Sequence, residues 1–232
     1  PRSEEEALSA PKSICYFKSE AISEMYKECS EPLDIRYGGL VRIYRNSVAG
    51  RKYVFAVDSS EGQYDPMAGV VADWQTEEDV VAVHGKISID QQARIIFELY
   101  EEYNHAFLGI ENNAAGILLI EKLVQMGVED KDWFYQDNGR NKIGWHTSGN
   151  QSGGGTRLVM LSDLSETIGD RQIRIPMRDA ISEFLSFSWI DGKPQAIRGA
   201  HDDWVMAHAI LGQIRKAMPL GKATISHFQY RG

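Results

Sequence analysis

Short apolar runs separated by turn residues dominate the first half of the chain, and longer stretches of helical periodicity dominate the second. Tyr53-Val54-Phe55-Ala56-Val57 is rich in strand formers and stops at Asp58, where Ser59-Ser60-Glu61-Gly62 reads as a turn. Ala68 to Ala72 and Val80 to Ile87 read as two further strands, so the three together predict an antiparallel meander. Ile89 to Asn104 reads as a helix, with Asp90 as its expected cap and Ala93, Ile96, Phe97 and Tyr100 on one face. Phe107 to Ile110 predicts a strand that ends at Glu111. Asn112-Asn113 then caps a helix from Ala114 to Met126, which Gly127 closes.

Trp133 to Tyr135 reads as one more strand, and strand alternating with helix implies parallel pairing in this part. Residues 138–155 read as a glycine-rich loop. Leu158 to Ile168 and Pro176 to Leu185 predict helices, with a short strand at Ile173 to Ile175 between them. Asp191-Gly192 is a hairpin turn signal between Phe187 to Ile190 and Gln195 to Ile197. His201-Asp202-Asp203 opens a last helix that runs to about Met218, and the basic, aromatic tail after Pro219 is expected to fray. Ahead of the core, Lys18 to Cys29 predicts a helix broken by Pro32, and Leu40 to Tyr44 a strand. Residues 1–50 are read as an arm or linker packed on a domain of residues 51–232. The order of elements is that of a ribonuclease H-like α/β domain: a mixed sheet, three antiparallel strands and then parallel ones, flanked by helices.

The 232 residues suit one large domain, and 43% hydrophobic content suffices for a core. No apolar run approaches the roughly 18 residues of a membrane span, and the acidic N-terminus is not a targeting signal, so no membrane partner is expected. Cys15 and Cys29 form no disulfide framework and, without suitably spaced histidines, no zinc site. The formal charge of −8 argues against a surface that grips DNA by broad positive charge. It does not exclude an enzyme that acts on DNA, because an acidic metal site adds negative charge of its own.

The acidic residues with a consistent placement are Asp58 at the end of the first core strand, Glu111 at the end of the fourth, and Asp202 and Asp203 at the start of the last helix. Parallel neighbouring strands would set Asp58 and Glu111 side by side at the sheet's carboxyl edge, where ligands collect in α/β folds. Clustered carboxylates repel one another unless a cation joins them, and hard oxygen donors suit Mg²⁺ or Mn²⁺. Two such ions, roughly 3.5–4 Å apart, can clamp a scissile phosphate, with Asp58 bridging them, Glu111 completing one site and Asp203 the other. Read singly, each residue has a plainer role: a strand end, a solvated carboxylate before a cap, an N-cap, a dipole partner.

These residues also resemble a known family. Val57-Asp58-Ser59-Ser60-Glu61-Gly62, with Asp65 following, is similar to the first acidic motif of the nuclease domains of viral large terminases. Residues 109–116, Gly-Ile-Glu-Asn-Asn-Ala-Ala-Gly, look like their second motif, and His201-Asp202-Asp203-Trp204-Val205-Met206-Ala207 like their third. Gly144-Trp145-His146-Thr147 resembles their loop, and residues 1–7 the junction that follows their ATPase. The resemblance implies a metal-dependent endonuclease that cuts concatemeric double-stranded DNA at the start and end of packaging. Its implied metal ligands fall on Asp58, Glu111 and one or both of Asp202 and Asp203, Asp203 being the first choice, with Asp65 supporting a second metal or merely forming an Asp-Pro turn. The implied partners are the ATPase domain of the same polypeptide, the portal and the small terminase subunit, at the procapsid in the host cytoplasm. No phosphate-binding loop of the G-x-x-x-x-G-K-[ST] type occurs, so ATP hydrolysis would belong to a segment upstream.

Among auxiliary residues, His201 abuts the third motif and suits proton transfer, phosphate contact or a structural place at the helix start. Arg140, Lys142, His146 and Arg157 make the loop locally basic and suit contact with a DNA backbone, or are merely a solvated loop; Lys193 is a weaker candidate of the same kind. Trp74, Trp133 and Trp189 are expected in the core or sheet. Two rival readings stay open: another ribonuclease H-like enzyme (a junction resolvase, ribonuclease H or transposase), or a non-catalytic module that docks DNA or the portal.

Overall fold

The computed structural model describes residues 15–63, 65–136, 142–149 and 156–218. Its centre is a six-stranded sheet, lettered in chain order as β1 (Asp34–Arg36), β2 (Val41–Ile43), β3 (Tyr53–Asp58), β4 (Met67–Asp73), β5 (Glu78–Gly85) and β6 (Phe107–Ile110). The spatial order is β1-β2-β5-β4-β3-β6. Strands β3, β4 and β5 form the expected antiparallel meander, and β6 runs parallel to β3 with Val57 opposite Ile110. The mixed sheet flanked by helices is the predicted fold class. Of the N-terminal segment read as an arm, α1 (Ser19–Lys27) enters the core and β1 and β2 extend the sheet.

The sheet is buried on both faces, so β3 and β4 read as continuous apolar runs instead of alternating ones. Side-chain size still alternates. Val54, Ala56, Ala68, Val70, Ala72 and Ala82 face one way, toward α4 (Thr156–Gly169), α5 (Arg178–Ser186) and α6 (Asp203–Ala217). Tyr53, Phe55, Val57, Val71, Val81 and Val83 face the other, toward α2 (Ile89–Glu102) and α3 (Ala114–Met126). The small side chains let α6 lie close across the sheet: a Cβ on Gly109 of β6 would stand 2.3 Å from Cγ2 of Ile214.

The caps follow from local chemistry, with one correction. Ser88, not Asp90, caps α2: its hydroxyl accepts the Gln91 N–H at 3.4 Å, and the Gln91 side chain accepts the Ser88 N–H at 3.2 Å. Asp90 pairs instead with Lys122 of α3 at 2.7 Å. Asn113 caps α3, and Gly127, at φ 105°, closes it as expected. The expected strand at Ile173 to Ile175 reduces to a single parallel bridge between Arg174 and Glu78.

Part of the predicted loop is sheet-like. Residues Tyr135–Gln136 (β7) pair with Lys142–Ile143 (β8), Trp133 bridges to Leu108, and Trp145 bridges to Glu111. Trp145 donates its N–H to Ile110 O at 2.7 Å and accepts from Asn112 N–H at 2.6 Å, so this segment prolongs the sheet beside β6. Helix α5 leads into β9 (Phe187–Ile190), which forms the expected hairpin with β10 (Lys193–Ala196). Trp133 is buried in the core and Trp189 lies in β9, as expected of core or sheet residues; Trp189 is 51% exposed on this two-stranded hairpin, against Tyr16. Both cysteines are free.

The close seating of α6 gives a test of this packing. Gly109→Ala is expected to destabilise the protein by about 1–3 kcal/mol, because the Ile214 side chain has to shift. Urea unfolding measures this, and an unchanged midpoint would mean that α6 does not press on β6.

Candidate metal centre

A cleft of about 590 Å³ opens at the carboxyl end of β3, lined by Asp58, Ser59, Ser60, Glu61, Gly62, Asp65, Pro66, Asn113, Ala114, Ala115, Ala200, His201, Asp202 and Asp203. Five residues singled out from sequence therefore meet there: Asp58, Asp65, His201, Asp202 and Asp203. Glu111 does not line the cleft. It stands beside Asp58 at the end of the parallel neighbour, its N–H donating to Val57 O at 2.9 Å.

Asn113 joins three parts of the site. Its Oδ1 accepts the Gly116 N–H at 2.8 Å, its Nδ2 donates to Glu111 Oε2 at 2.9 Å, and it donates to Ser59 O at 3.3 Å. One side chain thus caps α3, aims the Glu111 carboxylate and ties down the loop after β3. Gly116 allows this closeness: a Cβ there would stand 1.8 Å from Glu111 O. Opposite, buried Gln92 of α2 donates to Ser60 O at 2.8 Å and to Ile87 O at 3.0 Å, holding the far wall of the cleft. Asp65 is exposed at the rim, its carbonyl accepting from the Ser60 hydroxyl at 2.8 Å.

The two aspartates at the start of α6 differ in environment. Asp202 Oδ2 accepts from Arg157 Nη2 at 3.0 Å. Asp203 Oδ2 is buried without a hydrogen-bond partner; His84 Nε2 of β5, likewise unpartnered, stands 3.6 Å away, and His201 Nδ1 3.8 Å away. The His84 ring stacks on Trp204 at 5.0 Å, and the Trp204 indole N–H donates to Asp179 at 3.2 Å. Behind them lies buried His208, 2.8 Å from Asp79, which ties α6 to β5.

Electrostatics follow from this crowding. Burial foremost, then the charge and hydrogen bond of Glu111, then Asp203 and Asp202, push the Asp58 carboxyl well above the ordinary carboxylate range. Glu183 of α5 is pushed up to about 8, chiefly by burial, against hydrogen bonds from the Val205 and Trp204 amides that act the other way.

The auxiliary residues are placed unevenly. Arg157 pairs with Asp202 and stays beside the cleft. Lys142 and His146 are exposed and do not line it, and Arg140 lies outside the described residues. Lys193 is exposed on the β9–β10 hairpin. Asn113's hold on Glu111, and the places of His84 and Glu183, were missed from sequence. The Glu111–Asn113 spacing was a usable signal for the first, whereas nothing local marks the other two. Among the described residues, the three-residue group whose ligand atoms all lie within 4.8 Å of one another is elsewhere: His105, Glu129 and Asp132, beyond the amino end of β6. That group is already engaged, Asp132 by the Tyr100 hydroxyl at 2.7 Å and Glu129 by Lys131 at 2.9 Å.

A mixed six-stranded sheet, antiparallel but for the β3–β6 pair and flanked by helices, is a ribonuclease H-like α/β fold. The same fold is found in the nuclease domains of phage large terminases. The large terminase nuclease of thermophilic phage G20c, solved with bound magnesium, superposes with a TM-score of 0.64 at 16% identity, covering 83% of this chain and 96% of that one. The large terminase nuclease domain of Thermus phage P74-26 gives 0.59 at 17% identity, over 82% and 93%. The large terminase of thermophilic bacteriophage D6E gives 0.53 at 13%, over 84% of this chain and 45% of that longer one. No family model and no curated relative matches the chain.

The sign of a pH effect follows. The folded state holds protons on Asp58 and Glu183 that the unfolded chain has released above its ordinary carboxylate values, so without divalent cations stability falls as pH rises from about 5 to about 8. Thermal melts in EDTA are expected to show this fall, and Asp58→Asn to make it shallower. Melting temperatures that rise over the same range would contradict it.

Proposed function

We propose that the chain is the nuclease part of a phage large terminase, an endonuclease that cuts double-stranded DNA in genome packaging with Mg²⁺ or Mn²⁺. The observation that carries the reading is the meeting of Asp58 and Asp203 in one cleft, with Glu111 beside Asp58 at the end of the parallel neighbouring strand. The donor set fits a hard divalent cation: the carboxylates are crowded enough to push Asp58 out of its ordinary range, and Asp203 Oδ2 is buried without a partner. The G20c nuclease has been solved with bound magnesium, cobalt and zinc, which favours divalent metal chemistry on this fold.

In this reading Asp58, Glu111 and Asp203 hold two divalent ions. When bound, these supply Lewis-acid activation of water and neutralise charge on the scissile phosphate. Asp58 stands between the other two and is held by the buried strand β3. Asn113 orients Glu111. Arg157 engages Asp202, which leaves Asp203 as the third ligand. Asp65 at the rim supports a second metal, and His201 at the mouth serves proton transfer or phosphate contact in the same reading. Concatemer cutting, an upstream ATPase domain, the portal and the small subunit as partners, and a place at the procapsid in the host cytoplasm belong to the same proposal.

The test is plasmid nicking with Mg²⁺, Mn²⁺ or EDTA. Asp58→Asn and Glu111→Gln are expected to lose cleavage by more than about 100-fold while remaining folded, since losing a ligand exceeds the effect of losing a supporting contact. Full activity in both would sink the metal-site reading. A strong preference for RNA–DNA hybrids or four-way junctions would move the assignment to another ribonuclease H-like enzyme.

A net charge of −8 also leads to weak, sequence-independent DNA binding at physiological salt. A gel-shift titration measures it, and tight binding to one short sequence would contradict it.

A further inference from the structure

Helix α6 begins without a cap of its own. Asp202 occupies the N-cap position, yet its side chain makes no capping hydrogen bond, and Asp203 follows as the first helical residue. An uncapped first turn leaves amide donors unsatisfied, which a protein interior does not tolerate cheaply. The missing acceptor comes from α5: Glu183 Oε1 accepts the Val205 N–H at 2.9 Å. One turn earlier on the same helix, Asp179 accepts the Trp204 indole N–H. Two α5 carboxylates thus hold the first turn of α6 by its backbone and by its one large side chain.

We propose that Glu183 is a positioning residue for the metal centre: by capping α6 from a neighbouring helix, it relieves Asp202 and Asp203 of capping and leaves the Asp203 carboxylate aimed into the cleft. An aspartate at a helix start ordinarily turns back to its own amides. Here the Val205 amide is occupied, and Asp203 Oδ2 is left without a partner. Glu183 itself is not among the residues lining the cleft, so it acts only through α6.

This inference rests on the reading of the cleft as a metal-dependent nuclease centre. The experiment compares wild type, E183A, E183Q and D58N by Mn²⁺ titration calorimetry, by the Mn²⁺ midpoint of plasmid nicking and by thermal melting. E183A is expected to weaken Mn²⁺ binding and raise the midpoint by about 10- to 100-fold, the usual range for loss of an orienting contact. E183Q, whose amide oxygen still accepts the Val205 N–H, is expected to stay near wild type in both. If E183A does not fold, E183D, whose shorter side chain draws the acceptor back, carries the same comparison. An E183A or E183D protein that melts earlier but keeps the wild-type Mn²⁺ affinity and midpoint overturns the proposal, because Glu183 would then be merely structural. Equal losses in E183Q and E183A also overturn it. A wild type that neither binds Mn²⁺ nor nicks DNA removes the centre itself, and this inference falls with it; D58N marks how such a loss appears in each measurement.

Discussion

The repulsion between the carboxylates of Asp58 and Glu111 is the constraint around which the structure is arranged. Two acidic groups side by side raise the energy of the folded state, with Asp203 and Asp202 adding to it. Only a rigid surround keeps them together. Strand β3 supplies it, being buried on both faces from Tyr53 to Val57, with its parallel partner β6 in register to the last residue.

The supports of the centre come from every layer. Asn113 on one side links Glu111, the loop after β3 and the start of α3, while Gln92 of α2 holds that loop from beneath. On the other face, α6 approaches because the sheet offers it alanine, valine and glycine, and α5 fixes its first turn. Asn113 both caps α3 and holds the Glu111 carboxylate, whereas Gln92 ties down backbone carbonyls. Stability and chemistry are therefore coupled: loosening α6 exposes amides and displaces Asp203 together.

The acidic balance of the chain fits this division. Negative charge concentrates at the cleft, and the nearest basic group, Arg157, is occupied by Asp202. A polyanion would meet net repulsion at this cleft unless cations neutralised it. The D6E terminase, of which this chain matches 45%, shows that the fold occurs within a longer protein.

Much of this was legible in the residues. Apolar runs with strand formers located β3 to β6, the Asn113 and Gly127 caps bounded α3, and the Asp-Gly turn located the hairpin, because those signals are local and act over a few positions. The ends of β3 and β6 could also be named as the places where Asp58 and Glu111 would meet, since parallel pairing follows from the order of elements. What only the tertiary structure decided were contacts distant in sequence. Ser88 and not Asp90 caps α2 because the helix starts at Ile89, which puts Asp90 inside the first turn, and Gln91 completes a capping box with Ser88. Residues 142–145 became sheet because β7, Phe134, Ile110 and Asn112 offered backbone partners. Asp202 and Asp203, adjacent and chemically identical, parted roles because Arg157 reached one and Glu183 occupied the amide that would have claimed the other. Spacing along a chain specifies which groups share an element, whereas the partner a buried group finds depends on which other element packs against it.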